Sequence, residues 1–139
     1  LAVGLLRDMS RRRLELDVIS YNAAIGACPR AELALELLRG MMRRDLEPTV
    51  VSFSAAISAC GRDKQSKTAM ALLLEMQGRA VWPNVRTYGA AISACEKDGR
   101  PDWALELLQT MPERRLQPDV ISFNATISAC EKAGRCTTA

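Results

Sequence analysis

A chain of 139 residues, 48% hydrophobic and only 4% aromatic, suits one small domain or a short repeat array and is too short for two ordinary globular domains. It contains no histidine, which excludes His-based acid–base catalysis, His-containing nucleophile triads and His metal ligation together. The 19 Lys+Arg against 16 Asp+Glu leave a formal charge of +3, which permits a polyanionic partner without requiring one.

No apolar run reaches the length that a membrane-spanning helix needs. The opening LAVGLL is too short, and followed too soon by Arg7 and Asp8, for a secretory signal. The chain begins without Met and its pattern runs unbroken to the end. The expectation is therefore a piece of a longer protein, with any targeting segment lying outside it.

Taken in order, the elements alternate between two recurring blocks. The chain opens on AVGLLRDM from Ala2, a weak copy of the block that returns as ALELLRGM from Ala34, AMALLLEM from Ala69 and ALELLQTM from Ala104. Between these copies lie VISYNAAIGAC from Val18, VVSFSAAISAC from Val50, VRTYGAAISAC from Val85 and VISFNATISAC from Val120. The starts of this other block are 32, 35 and 35 residues apart. Self-similarity at such a period is the mark of a solenoid.

Both blocks have helical spacing. Val18, Tyr21, Ile25 and Cys28 fall on one face, as do Ala34, Leu37, Leu38 and Met41. Gly99-Arg100-Pro101-Asp102 separates the two blocks in the third unit, with Pro101 suited to a first helical turn. Pro48, Pro83 and Pro118 are expected to close the units, because proline cannot continue a helix. The first unit is three residues short between Cys28 and Ala34, in the turn. The fold expected is all-α: an α-solenoid of stacked antiparallel helical hairpins. It divides into a half unit over 1–17, units over 18–49 (shortened), 50–84 and 85–119, and a half unit over 120–139. A hairpin buries both faces only by stacking on neighbours, so uncapped ends are expected to promote self-association.

Several columns of residues invite a chemical reading. Cys28, Cys60, Cys95 and Cys130 occupy equivalent positions. Stacked helices sit ~8–10 Å apart, whereas a disulfide needs Cα atoms within about 7 Å. The column therefore reads as small, buried, reduced core residues, with no metal site; Cys136 stands outside it. Arg11-Arg12-Arg13, Arg43-Arg44, Arg79 and Arg114-Arg115 lie at the ends of second helices, where they complement the helix dipole. Arg30, Arg62, Lys97 and Lys132 follow each column cysteine by two residues. One cation per unit on one edge suits a polymer with one phosphate per step, although solubility alone also supplies such charges. Glu36 and Glu106 recur on the second helix without a partner for acid–base work, so no catalysis and no cofactor are expected.

Two columns vary inside a constant frame. The fourth residue after each starting valine is Asn22, Ser54, Gly89 or Asn124, and the residue just before it is Asp17, Thr49, Asn84 or Asp119. Small polar residues that change while their surroundings stay fixed are where a repeat array carries information. Asp, Thr and Asn are also good helix N-caps, and spacing alone does not separate capping from recognition.

At these residues the chain resembles the pentatricopeptide repeat family, RNA-binding α-solenoids of organelles. The motifs that carry the likeness are the 35-residue period, V-[I/V]-S-[Y/F]-N opening the first helix, A-L-E-L-L-x-x-M in the second and P-[D/N/T] closing the unit. The tetratricopeptide pattern fits worse, because its W-x₂-L-G-x₂-Y stretch is missing. The resemblance implies that each unit reads one base of single-stranded RNA, pairing Asn22 with Thr49, Ser54 with Asn84 and Gly89 with Asp119. Asn124 and Asp17 each lack a partner in this chain. Family pairings imply adenine for Ser54/Asn84, guanine for Gly89/Asp119 and pyrimidines for Asn22/Thr49 and Asn124, giving a site 5′-pyrimidine-A-G-pyrimidine-3′. They further imply base-wedging by the column Ile19, Val51, Arg86 and Ile121, in which Arg86 departs from the aliphatic pattern, and phosphate contact by Arg30, Arg62, Lys97 and Lys132. A place in the RNA metabolism of a chloroplast or mitochondrion follows from the same resemblance. The alternative, from the repeat architecture alone, is a protein-binding helical scaffold.

Overall fold

A computed structural model describes residues 18–132. Asp17, the opening half unit and Cys136 lie outside the described residues. The described chain is helical throughout its regular elements: α1 (Val18–Ala27), α2 (Ala31–Arg43), α3 (Val50–Arg62), α4 (Ser66–Gly78), α5 (Val85–Lys97), α6 (Pro101–Glu113) and α7 (Val120–Lys132). Odd-numbered helices carry the valine-led block and even-numbered helices the leucine-rich one, so each unit is a helical hairpin, and the hairpins stack into an all-α solenoid.

The odd helices pack side by side, α1 on α3, α3 on α5 and α5 on α7. Each even helix packs on its own odd helix and on the odd helix of the next unit. The odd helices therefore form one continuous row through the described units. Small residues permit this approach. A Cβ added at Gly61 would sit 3.5 Å from both Cα and Cβ of Ala94 on the neighbouring helix. The core runs through the seam: Tyr21, Ile25, Phe53, Ile57, Tyr88 and Ile92 from the odd helices meet Leu38, Met41, Leu73, Met76, Leu107 and Met111 from the even ones. In α7 the counterpart of buried Phe53 and Tyr88 is Phe123, 47% exposed, because no following helix covers it among the described residues.

The helix ends differ from the sequence expectation in one respect. The even helices do not stop at Pro48, Pro83 and Pro118; they stop at Arg43, Gly78 and Glu113, several residues earlier. Each turns through a left-handed residue, Asp45, Ala80 or Arg115, with φ close to 60°. The next N–H then reaches back to a carbonyl of the last turn, as in Leu46 N to Met41 O at 2.9 Å. The prolines sit immediately before the next helix cap instead. Pro101 does open α6. In the shortened unit α1 ends at Ala27, so Arg30 stands at the start of α2 rather than in the last turn of an odd helix like Arg62, Lys97 and Lys132.

Side chains lock consecutive units in register. Asp63 Oδ2 accepts from the backbone N–H of Ala31 at 3.3 Å. Asp98 Oδ2 accepts from the hydroxyl and the N–H of Ser66. Each aspartate thus caps the even helix of the preceding unit, whose own N-cap residue, Arg30 or Gln65, makes no side-chain cap. Arg39 forks onto both carboxylate oxygens of Glu75 at 2.7 and 2.8 Å, and that pairing holds Glu75 below the usual carboxylate range.

Candidate nucleic-acid interface

The residues that precede the odd helices are caps. Thr49 Oγ1 accepts from Ser52 N at 3.4 Å, Asn84 Oδ1 from Thr87 N at 3.0 Å and Asp119 Oδ1 from Ser122 N at 2.8 Å. Thr49 and Asn84 close capping boxes, their own N–H groups donating to Ser52 Oγ and Thr87 Oγ1 at 3.0 and 3.2 Å. The two Ser122 donors hold the Asp119 carboxyl below its ordinary range. All three capping residues are nonetheless exposed, so capping fixes them without hiding them.

Each capping partner also reaches the variable residue of the preceding odd helix. Ser52 Oγ donates to Asn22 Oδ1. Ser54 Oγ and Thr87 Oγ1 are 2.8 Å apart. A Cβ at Gly89 would lie 3.7 Å from Ser122 Oγ. The structure therefore brings Asn22 to Thr49, Ser54 to Asn84 and Gly89 to Asp119, in each case across one buried hydroxyl. Asn124 is exposed on α7 and has no paired residue in this chain; Asp17, likewise without a partner, lies outside the described residues.

These pairs border two grooves between successive odd helices. The first, about 400 Å³, is bordered by Asn22, Val51, Ser54, Asn84, Arg62 and Arg86. Ser54, 8% exposed, lies at its floor. The second, about 700 Å³, is bordered by Arg86, Gly89, Asp119, Ile121, Arg62 and Lys97. Ile19, Val51 and Ile121 are 77, 57 and 68% exposed, an unusual outlay of β-branched surface at one position of three odd helices. Arg86 occupies the same position on α5 and borders both grooves. Three cations against the single carboxylate of Asp119 make the grooves attractive to an anion.

The cation column is not uniform. Arg62 Nη2 donates to the carbonyls of Cys28 and Gly26 at 2.8 and 3.3 Å, satisfying the C-terminal end of α1. Lys132 Nζ lies 2.6 Å from Glu96 Oε1, which also accepts from Ser128 and is held below its usual range. Lys97 and Arg86 make no hydrogen bond or ion pair to other described residues. The freest groove cations are thus these two.

Family models match over most of this chain. One, a PPR repeat family, matches residues 48–97 and 83–132, and a pentatricopeptide repeat domain matches residues 4–63. The chain belongs to the pentatricopeptide repeat family. Among solved structures, maize PPR10 is 32% identical over 88% of this chain, but the match spans only 18% of PPR10. PPR10 bound to an 18-nt psaJ RNA element has a TM-score of 0.78 at 31% identity, covering 86% of this chain and 18% of that one. The PPR domain of Arabidopsis thaliana protein-only RNase P 1, in complex with tRNA, matches 99% of this chain and 76% of its own with a TM-score of 0.78; at 18% identity that likeness concerns the fold alone. Among curated proteins, none matches the sequence.

Sequence reasoning singled out neither Ser52, Thr87 and Ser122 nor the inter-unit caps Asp63 and Asp98. The signal for the first group was present, a hydroxyl at the third position of every odd pentatricopeptide helix, but it reads as ordinary capping until its second bond is seen. The column cysteines are buried and unbridged. Burial pushes Cys60 and Cys95 up to about 11, so these thiols stay protonated and unreactive at neutral pH.

Proposed function

We propose that this chain binds single-stranded RNA along the row of odd helices, one base per unit, without chemistry of its own. The observation that carries the reading is the recurrence, at successive units, of the same station: a cap residue and a variable residue meeting at one buried hydroxyl, with an exposed β-branched or Arg side chain beside them. The pair supplies hydrogen bonds to a base edge, the aliphatic side chain or the Arg86 guanidinium stacks between bases, and Lys97 meets the phosphates. The proposed site is 5′-pyrimidine-A-G-pyrimidine-3′, read by Asn22/Thr49, Ser54/Asn84, Gly89/Asp119 and Asn124 in turn. Relatives such as PPR10, crystallised on an RNA element, support the choice of polymer.

Each stacked and read base contributes ~1–3 kcal/mol, against an association cost of ~4–15 kcal/mol. The 139-residue chain is therefore expected to bind weakly by itself. Fluorescence anisotropy at low salt with RNA carrying the proposed site, against the same oligonucleotide with the central A-G replaced by C-U, tests the reading. Tighter binding of the first supports it; equal binding of both, or of RNA and an acidic polypeptide alike, overturns it. A chloroplast or mitochondrial setting is proposed on the same family grounds, and imaging of the full-length protein fused to a fluorophore checks it.

A further inference from the structure

Ser52, Thr87 and Ser122 are fully buried and border neither groove, so no bound base touches them. Their protons nevertheless determine what the groove sees. Thr87 directs its backbone N–H and its Oγ1–H at the same atom, Asn84 Oδ1, at 3.0 and 2.9 Å. Two donors on one carbonyl oxygen fix the amide, leaving the Asn84 NH₂ group without a partner among the described residues. Thr87 Oγ1, its single proton spent on Asn84, accepts from Ser54 Oγ at 2.8 Å. Ser54 then donates inward and offers only lone pairs outward. The station presents one donor group and one acceptor, the complement of an edge with an acceptor beside a donor, as in N1 and N6–H₂ of adenine. Guanine carries the same two kinds of group in reverse order, N1–H and O6, so a base held with its N1 opposite the amide meets donor with donor and acceptor with acceptor.

The next station inverts the pattern by the same means. Ser122 sends both N–H and Oγ–H to Asp119 Oδ1, each at 2.8 Å. Asp119 Oδ2 is left as an acceptor, and Gly89 adds no polar group. An acceptor-only face suits N1–H and N2–H₂ of guanine.

Resting on the RNA reading above, we infer that Thr87 and Ser122, and Ser52 by position, are positioning residues for base selection: each buried hydroxyl fixes which atoms of the flanking pair are shown to the base. The test uses the whole chain and a set of short RNAs differing only at the base opposite the second unit. Wild type is expected to favour adenine over guanine roughly tenfold, the worth of one well-placed pair of hydrogen bonds. Thr87→Val keeps the side-chain shape and loses the hydroxyl; its adenine preference falls to within about twofold, while the preference for guanine opposite the third unit persists. Thr87→Ser restores adenine preference.

A folded Thr87→Val protein that still prefers adenine overturns the inference, as does one that loses base preference equally at every position, since that marks a general structural role. Should Thr87→Val fail to fold, Ser122→Ala is read the same way against guanine opposite the third unit. A wild-type chain without base preference overturns the RNA reading first, before any substitution is made, and the inference with it.

Discussion

Converting the third unit into a copy of the second gives the most demanding check on the proposed stations. The perturbation is Gly89→Ser with Asp119→Asn, which reproduces Ser54 and Asn84 around the hydroxyl of Ser122. Space is available, because a Cβ at Gly89 stands 3.7 Å from Ser122 Oγ, an ordinary contact. Stability is not at risk: replacing an interior helical glycine by serine gains about 0.5 kcal/mol, and Asn caps a helix as well as Asp does. The new pair shows a donor and an acceptor where the old one showed acceptors alone. At ~1–3 kcal/mol per bidentate match, the guanine-to-adenine ratio opposite the third unit reverses by roughly five- to 150-fold on each side. Removing the Asp119 charge raises affinity for every RNA, so the ratio between bases is the quantity to compare. Anisotropy titrations with the four single-base variants, at fixed salt, read it directly. A folded double variant whose preference stays on guanine, with the ratio unchanged within about twofold, refutes the station geometry.

Three further outcomes are expected. Lys97→Ala lowers the salt dependence of RNA binding, the slope of log K against log[salt] falling by about 0.7, one released counterion on a single strand; titrations over a range of salt measure it, and Lys132→Ala, whose cation already pairs with Glu96, changes the slope less. Asp98→Ala removes the cap that one unit provides to the preceding one and strands the buried Ser66 hydroxyl, so urea unfolding reports a loss of about 2 kcal/mol, largely removed when Ser66→Ala is combined with it. Stability declines in acid: Glu75, Glu96 and Asp119 have folded values depressed by their donors, so their contributions are complete above the unfolded values of about 4 and disappear as pH falls through the folded ones. Thermal melts from pH 6 to 3 follow this, and Glu75→Gln flattens part of the decline.

The architecture was legible because packing repeats. A residue that must face the core in one hairpin must do so in the next, so Tyr21, Phe53 and Tyr88, or Met41, Met76 and Met111, announce themselves as columns. The station residues were legible for the opposite reason: Asn22, Ser54 and Gly89 change while everything around them does not. The stops of the even helices were not, since Asp45, Ala80 and Arg115 take a left-handed turn that glycine would have advertised, and the conspicuous prolines lie further on.

What the chain alone determined, then, was the helical hairpin, its period and the two variable columns, all local consequences of spacing along one helix. Only the stacked structure decided which hydroxyl joins the members of a pair, that Asp63 and Asp98 cap the preceding unit, and that Arg62 and Lys132 are engaged while Arg86 and Lys97 stay open. Those contacts join residues about one repeat apart, and their hydrogen bonds depend on the rotation and offset between neighbouring hairpins, a geometry fixed by how side chains interlock across the seam rather than by any pattern written along it.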